Sequence, residues 1–141
     1  MFQITLTISV NSEISKVWDL LTTSDGYGKW MPNITAVSDW QEGSKIVYTC
    51  YNPDGSVMLW KGHGECIWDG SIEKLILNQE FSCKYPGSHT GLIEESYLFE
   101  AIDENNTKVT LIQDLTTQEV ADEYKKGSMY SLELLKTYLA K

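Results

Sequence analysis

The sequence is poor in basic residues and has no long apolar run. Its 141 residues contain 11 Lys and Arg against 20 Asp and Glu, which gives a formal net charge of -9. Such a chain repels phosphate backbones, so we expect no nucleic-acid partner. No segment approaches the roughly 20 apolar residues of a membrane-spanning helix, so we expect no membrane insertion. The acidity is typical of a protein that stays in solution as a monomer or a weak homodimer.

Cysteine and histidine are scarce, and neither has the spacing of a metal site. Cys50, Cys66 and Cys83 lie in strand-like segments and are interpreted as reduced thiols of a cytoplasmic protein. His63 and His89 are isolated from each other and from any predicted ligand set. The N-terminus alternates apolar and polar residues, unlike a signal peptide. No glycine-rich phosphate loop leads from a strand into a helix, so the sequence predicts neither a metal nor another cofactor.

One domain over residues 1–141 is the interpretation that the length favours, because such a chain buries enough surface to fold without crosslinks. Apolar and polar residues alternate over residues 2–10, which predicts a half-buried first strand. Two short helices then end before Pro32, six further strands follow, and one long helix closes the chain. The sequence therefore predicts an α+β protein with a seven-stranded sheet.

The final helix, over residues 117–140, has a buried face that is narrow in the middle. It would be about 36 Å long. Its predicted apolar stripe has large residues at both ends and Gly127 and Ser131 at the centre, with Ser128 at its edge. The stripe consists of Val120, Tyr124, Gly127, Ser131, Leu134, Leu135 and Tyr138. An interior glycine costs a helix about 1 kcal/mol relative to alanine, so the small centre favours a role other than helix stability.

Residues 57–68 are interpreted as a strand that, like the final helix, has small residues at its middle. Trp60, Gly62, Gly64 and Trp68 would share one face of that strand. Glycine in a strand marks a bend or the close approach of another group. Because protein interiors are closely packed, small residues on both the strand and the helix leave a hole unless large neighbours fill it. The sequence therefore predicts a cavity between this strand and the final helix.

Two polar side chains, Glu95 and Gln113, are expected on the inner face of an apolar hairpin. With a three-residue loop at 104–106, Tyr97 would face Gln113 and Glu95 would lie beside Leu115. A loop one residue longer would turn Gln113 outward. A carboxylate on an inner face is costly unless it is paired or protonated, so Glu95 could act as a general acid or base. The alternative is a carboxylate at the rim that is bonded to tyrosine or water.

The aromatic side chains near these positions are candidates for the wall of a pocket. They would suit a flat or lipid-like ligand, and the alternative is that each of them is an ordinary core residue. The candidate ligand-binding residues are Trp30, Trp60, Gly62, Gly64, Glu95, Tyr97, Gln113, Tyr124, Gly127 and Ser131.

Motifs spread over nearly the whole chain resemble one family. They are Val17-Trp18 before Leu20-Leu21-Thr22, Trp30, Gly43, Asp54-Gly55, Gly64 before Glu73-Lys74-Leu75, and Leu132, Leu135, Tyr138 and Leu139 in the final helix. In order and spacing these motifs are similar to the Hsp90-ATPase-activator-homologue branch of the START-like (SRPBCC) superfamily. The resemblance implies the helix-grip fold, in which a curved seven-stranded antiparallel sheet wraps around a long C-terminal helix and leaves a cavity between them.

Three functions are compatible with this sequence. The first is a cytoplasmic protein that holds a small apolar or amphipathic molecule between the sheet and the final helix. The second is an enzyme of the polyketide-cyclase or hydrolase type with Glu95 as acid or base. The third is an interaction module, since the resemblance implies relatives that stimulate the Hsp90 ATPase. Binding is favoured because no pair of titratable groups converges in the sequence, and the fold alone does not choose.

Overall fold

The computed structural model describes residues 2–60, 62, 64–87 and 89–140. Seven strands form one antiparallel sheet in the order β1-β9-β8-β7-β6-β3-β2, and β4 and β5 form a separate hairpin. The elements in chain order are β1 (Phe2–Val10), α1 (Ile14–Thr22), α2 (Ser24–Trp30), β2 (Ile34–Ser38), β3 (Lys45–Cys50), β4 (Leu59–Trp60), β5 (Gly64–Glu65), β6 (Ile67–Ile76), β7 (Glu80–Lys84), β8 (Leu92–Asp103), β9 (Asn106–Leu115) and α3 (Gln118–Leu139). The predicted α+β helix-grip fold, with two short helices after the first strand, is confirmed.

The three helices are held against the sheet by a common apolar core. Alternation along β1 leaves its threonines exposed and its apolar side chains from Ile4 to Val10 partly or fully buried, as the pattern predicts, while Phe2 at the start of the strand is exposed. The helix α3 packs against β1 and β9, while α1 packs against α2 and β8. The most deeply buried core residues include Val17, Leu21, Ile46, Leu115 and Leu135. None of the described helices is long and apolar enough to cross a membrane.

Buried hydrogen bonds fix the two short helices. The indole Nε1 of Trp30, at the end of α2, donates to the Leu20 carbonyl in α1 at 2.7 Å. The Thr107 hydroxyl on β9 donates to the Ser12 carbonyl, just before α1, at 2.8 Å. Each bond satisfies a carbonyl group near a helix end that apolar packing would leave unpaired. The Trp30 side chain therefore links α2 to α1.

The helix α3 begins one residue later than predicted and is rotated relative to the predicted stripe. The Thr117 hydroxyl caps it by accepting a hydrogen bond from the Val120 amide at 3.1 Å. Ser128 is buried at the centre of the contact face, while Gly127 is exposed and Ser131 is half-buried. The buried residues are Val120, Ala121, Tyr124, Ser128, Leu132, Leu135 and Leu139. The narrow centre of the stripe is thus present, with Ser128 in the inward position predicted for Gly127.

The prediction of one strand over residues 57–68 is wrong. Trp60 pairs with Gly64 in an antiparallel hairpin, and β6 starts afresh at Ile67. Gly62 and Gly64 have φ angles of 88° and 83°, in the left-handed region that favours glycine. The chain therefore reverses where the alternation pattern implied a straight strand, and Trp60, Gly62, Gly64 and Trp68 do not share a strand face.

The hairpin of β8 and β9 is tighter than predicted, and its register differs by two residues. Tyr97 pairs with Leu111, and Glu95 pairs with Gln113. Asp103 pairs with Asn106, and its side chain accepts a hydrogen bond from the Asn105 amide at 2.8 Å, which stabilises a loop of two residues. A shift of two residues leaves every side chain on its predicted face. Gln113 therefore stays inside, directly opposite Glu95.

Gly91, which precedes β8, lies where that strand meets the start of α3. Its carbonyl accepts a hydrogen bond from the Thr116 amide at 3.0 Å. Its φ is 83°, and a Cβ atom added here would lie 2.7 Å from Val120 Cγ1. We expect Gly91→Ala to lower the free energy of unfolding, because it adds a steric clash to an unfavourable backbone conformation.

The matched control for this prediction is Gly55→Ala. Gly55 has a φ of 91°, and an added Cβ would meet no atom within 4 Å. Urea denaturation is expected to show a loss for Gly91→Ala that exceeds the loss for Gly55→Ala by roughly 1–3 kcal/mol. Equal losses in the two variants would contradict the close contact between this turn and α3.

Candidate functional site

A cavity of about 460 Å³ lies between the inner face of the sheet and α3. This volume falls within the usual range for sites that bind small molecules. The floor includes Leu111 on β9 and Tyr97 on β8, and α3 closes the opposite side. The hairpin β4–β5 contributes Leu59 and Trp60 to the rim. Exposed residues of the wall, Leu59 and Gly127 among them, mark where the cavity reaches the surface.

The cavity exists because α3 presents little volume at its middle. Gly127, Ser128 and Ser131 all line the cavity. A Cβ atom added to Gly127 would meet no atom within 4 Å, so the space beside it is open. Larger buried residues, Tyr124 and Leu135, lie on either side of this small segment and pack into the apolar core. The helix is thus held at both ends and spaced from the sheet between them.

One end of the cavity is an aromatic cluster centred on Tyr124. The ring centroids of Trp60 and Tyr124 are 5.3 Å apart, and those of Trp60 and Trp68 are 6.1 Å apart. The Trp68 Nε1 donates to the Tyr124 hydroxyl at 2.9 Å, and that hydroxyl donates to the Thr90 carbonyl at 3.2 Å. These two bonds hold the tyrosine ring in place, so this wall is preformed.

A chain of polar contacts that runs from the helix to the sheet forms part of the cavity wall. The Ser128 hydroxyl donates to Gln113 Oε1 at 2.7 Å, and Gln113 Nε2 donates to Glu95 Oε2 at 2.8 Å. The Tyr85 hydroxyl donates to Glu95 Oε1 at 3.4 Å. Gln113 and Ser128 are both buried. Because Ser128 occupies the amide oxygen of Gln113, the amide nitrogen is directed at Glu95.

Glu95 is a carboxyl group in a largely apolar environment. Burial raises its pKa above the usual range, and the hydrogen bonds from Gln113 and Tyr85 oppose that shift without cancelling it. Its remaining accessible surface faces the cavity, since the side chain is half-buried and lines the wall. Burial also raises the pKa of Tyr85 and Tyr97, and the neighbouring Glu95 charge adds to both shifts. The described residues of the wall include no Lys, Arg or His.

Most of the residues predicted for the site do line the cavity. They are Trp60, Glu95, Tyr97, Gln113, Tyr124, Gly127 and Ser131. Trp30 instead bonds to α1 in the core, and Gly62 and Gly64 lie in the segment of the hairpin β4–β5 and are not among the residues that line the cavity. Small residues were predicted on both sides of the cavity, on the strand and on the final helix. In the structure they line the cavity on the helix side only.

Sequence reasoning missed several aromatic residues of the wall, including Tyr27, Tyr48 and Tyr85. Alternation in β3 buries Ile46, Tyr48 and Cys50, and that pattern could have identified Tyr48. Tyr27 lies in a helix of seven residues, which is too short for a periodic signal. Tyr85 lies just beyond the end of β7 but is buried in step with Phe81 and Cys83, so the alternation over residues 81–85 could also have identified it.

Among the described residues, the side chains considered for metal binding do not form a set of ligands. The three cysteines are buried free thiols. His89 Nε2 lies 2.7 Å from the Glu65 carbonyl oxygen, and His63 is outside the described residues. Within the described part of the chain, no group of three His, Cys, Asp or Glu side chains is placed to hold a metal ion.

Solved structures with the same fold cover nearly the whole chain. A protein from Cytophaga hutchinsonii is 23% identical with a TM-score of 0.74, and the match covers 99% of this chain and 94% of that one. The Aha1 dimer from Colwellia psychrerythraea is 26% identical with a TM-score of 0.68, covering 99% and 96%. The di-domain ARO/CYC protein BexL from the BE-7585A biosynthetic pathway is 13% identical with a TM-score of 0.78, covering 99% and 47%.

Comparison with protein families gives a match over almost the full length. A search of curated proteins found no match. Residues 11–140 match the family described as Activator of Hsp90 ATPase homolog 1-like protein. That span runs from the end of β1 to the end of α3, so it includes every described residue of the cavity wall. The chain belongs to the Activator of Hsp90 ATPase homolog 1-like family, as the sequence motifs predict.

Proposed function

We propose that this protein binds a small apolar or amphipathic molecule, in the cytoplasm, in the cavity between the sheet and α3. The observation that carries the proposal is a cavity of about 460 Å³ with an aromatic wall and one polar network at its centre. Ligand sites in proteins combine a mostly apolar wall with a few fixed polar groups in this way. The aromatic wall would supply affinity, and the network would orient one polar group of the ligand.

The energetics of the wall support an occupied cavity. Trp60, Trp68 and Tyr97 all line a space that reaches the surface, so water contacts their rings when the cavity is empty. Covering apolar surface stabilises a complex by about 25 cal/mol for each Å² removed from water, before the cost of association. The hydrogen bonds of Tyr124 hold the wall in position, which reduces the ordering that binding requires.

Catalysis is a second candidate, because Glu95 is a carboxyl group with a raised pKa inside a cavity. The ARO/CYC protein BexL has the same fold, although an identity of 13% carries only the fold. The hydrogen bonds from Gln113 and Tyr85 hold Glu95 as an acceptor, and the described wall residues offer it no Lys, Arg or His as a partner in proton transfer. Binding therefore remains the preferred proposal. Turnover of polyketide-like or ester substrates that Glu95→Gln abolishes would replace it with catalysis.

Stimulation of the Hsp90 ATPase is a further hypothesis, and the family description is its only support. The cavity does not bear on it, and an assay of Hsp90 turnover with and without this chain tests it directly. The Aha1 relative was solved as a dimer, so the proposed monomer or weak homodimer is open to a sedimentation measurement.

We expect protein purified from its own cells to retain a small molecule. Native mass spectrometry should show a species heavier than the 16.0 kDa chain, which denaturation converts to the mass of the chain alone. A ligand at 100 times its dissociation constant would stabilise the fold by about 2.7 kcal/mol, enough for a clear thermal shift. A clean mass of the free chain, together with no thermal shift across a lipid and metabolite library, would count against the proposal.

A larger side chain on α3 should fill the cavity and prevent ligand uptake without lowering the stability of the fold. Gly127→Leu places a side chain into open space, while Gly127→Ala makes the same gain in helix propensity with little added volume. We expect both variants to be more stable than the wild type by up to about 1 kcal/mol, and only Gly127→Leu to lose the retained ligand. If Gly127→Leu is instead destabilised by roughly 1–3 kcal/mol relative to Gly127→Ala, the space is packed and no cavity exists.

A further inference from the structure

The charge of the cavity wall is negative. Glu95 lies inside the cavity and Glu123 lies at its exposed edge, whereas the described wall residues include no Lys, Arg or His. An anionic ligand entering this space would approach a carboxylate in a region where water screens charge poorly. The wall therefore disfavours carboxylates and phosphates as the polar group of a ligand.

The hydrogen bonds around Glu95 arrange it as an acceptor. Gln113 donates to one of its oxygens and Tyr85 donates to the other. The amide of Gln113 is held in this orientation because Ser128 donates to its oxygen at 2.7 Å. A carboxylate has about four lone-pair positions, so two such bonds leave further acceptor capacity. That capacity is directed at the cavity, which Glu95 lines.

Aromatic rings surround the same carboxylate. Tyr27, Tyr48 and Tyr97 line the cavity with it, and Trp60 and Trp68 form the adjoining wall. The faces of aromatic rings attract cations, most strongly where water is excluded. A positive group beside Glu95 would therefore gain from the rings and from the charge, and it would relieve the carboxylate of its unfavourable burial.

We propose that the cavity selects cationic amphiphiles, molecules with an aromatic or aliphatic body and a protonated amine that donates hydrogen bonds to Glu95. This inference rests on the proposed function and adds the chemical class of the ligand. The body of the ligand fills the space beside Gly127 and the aromatic cluster, and the ammonium group takes the lone pairs that Gln113 and Tyr85 leave open.

Three indoles that differ in one group test this assignment: tryptamine, tryptophol and indole-3-propionate. Their ethyl-linked or propionyl-linked indole bodies are closely similar, and their polar groups at pH 7 are an ammonium, a hydroxyl and a carboxylate. Isothermal titration calorimetry of the full chain at low salt should show tryptamine binding about ten-fold or more tightly than tryptophol, with indole-3-propionate the weakest.

Glu95→Gln should reduce the preference for tryptamine over tryptophol to near one, because it removes the negative charge that the ammonium group would meet. The matched control is Glu100→Gln, which removes the same charge from an exposed position on the same strand. It should keep the wild-type preference. Near-ultraviolet circular dichroism will establish whether both variants are folded. If Glu95→Gln is not folded, the comparison of the three ligands on the wild type decides whether the cavity selects cations.

The possible results separate the two proposals. Equal binding of tryptamine and tryptophol to the wild type, or tightest binding of indole-3-propionate, overturns the cationic selectivity and leaves the binding cavity intact. A preference for tryptamine that persists unchanged in folded Glu95→Gln overturns Glu95 as the anchor. If none of the three indoles binds at millimolar concentration, both the selectivity and the proposed function fail.

Discussion

The hydrogen bonds from Ser128 to Gln113 and from Gln113 to Glu95 join α3 to the sheet at the middle of the cavity. At this level α3 offers only Gly127, Ser128 and Ser131 to the cavity, so apolar contact across the gap is slight. Buried polar groups are costly unless they are paired, and here each member of the chain satisfies the next. The network therefore lets the helix span an open space without leaving buried polar atoms unsatisfied.

The same network makes the interior of the cavity a hydrogen-bond acceptor. Ser128 orients Gln113, Gln113 and Tyr85 donate to Glu95, and the carboxylate is left as the strongest acceptor facing the interior. Around it the walls are aromatic, and their position is fixed by the hydrogen bonds of Tyr124. The large core residues at the two ends of α3 thus stabilise the fold, and the polar contact at its centre serves the cavity.

Sequence periodicity predicted the elements and faces that depend on a regular repeat. Glu95 and Gln113 were placed on the inner face correctly although the register was wrong, because a shift of two residues preserves facing. The hairpin at Gly62 was missed because a reversal of the chain and a straight strand can show the same alternation of side chains. Periodicity runs the stripe of α3 through Gly127, Ser131 and Tyr138, whereas Ser128, Leu132 and Leu139 are buried. The two sets lie one position apart on the helix, and only contact with the sheet decides between them.

Entry of a small molecule between the sheet and α3 can be detected by intermolecular nuclear Overhauser effects. With the neutral probe tryptophol, we expect contacts from the indole protons to the methyl groups of Leu111, on the cavity floor. Leu77 lies outside the wall and is 69% exposed, so its methyl groups should show none. Contacts to Leu77 or other exposed side chains, with none to Leu111, would contradict the claim.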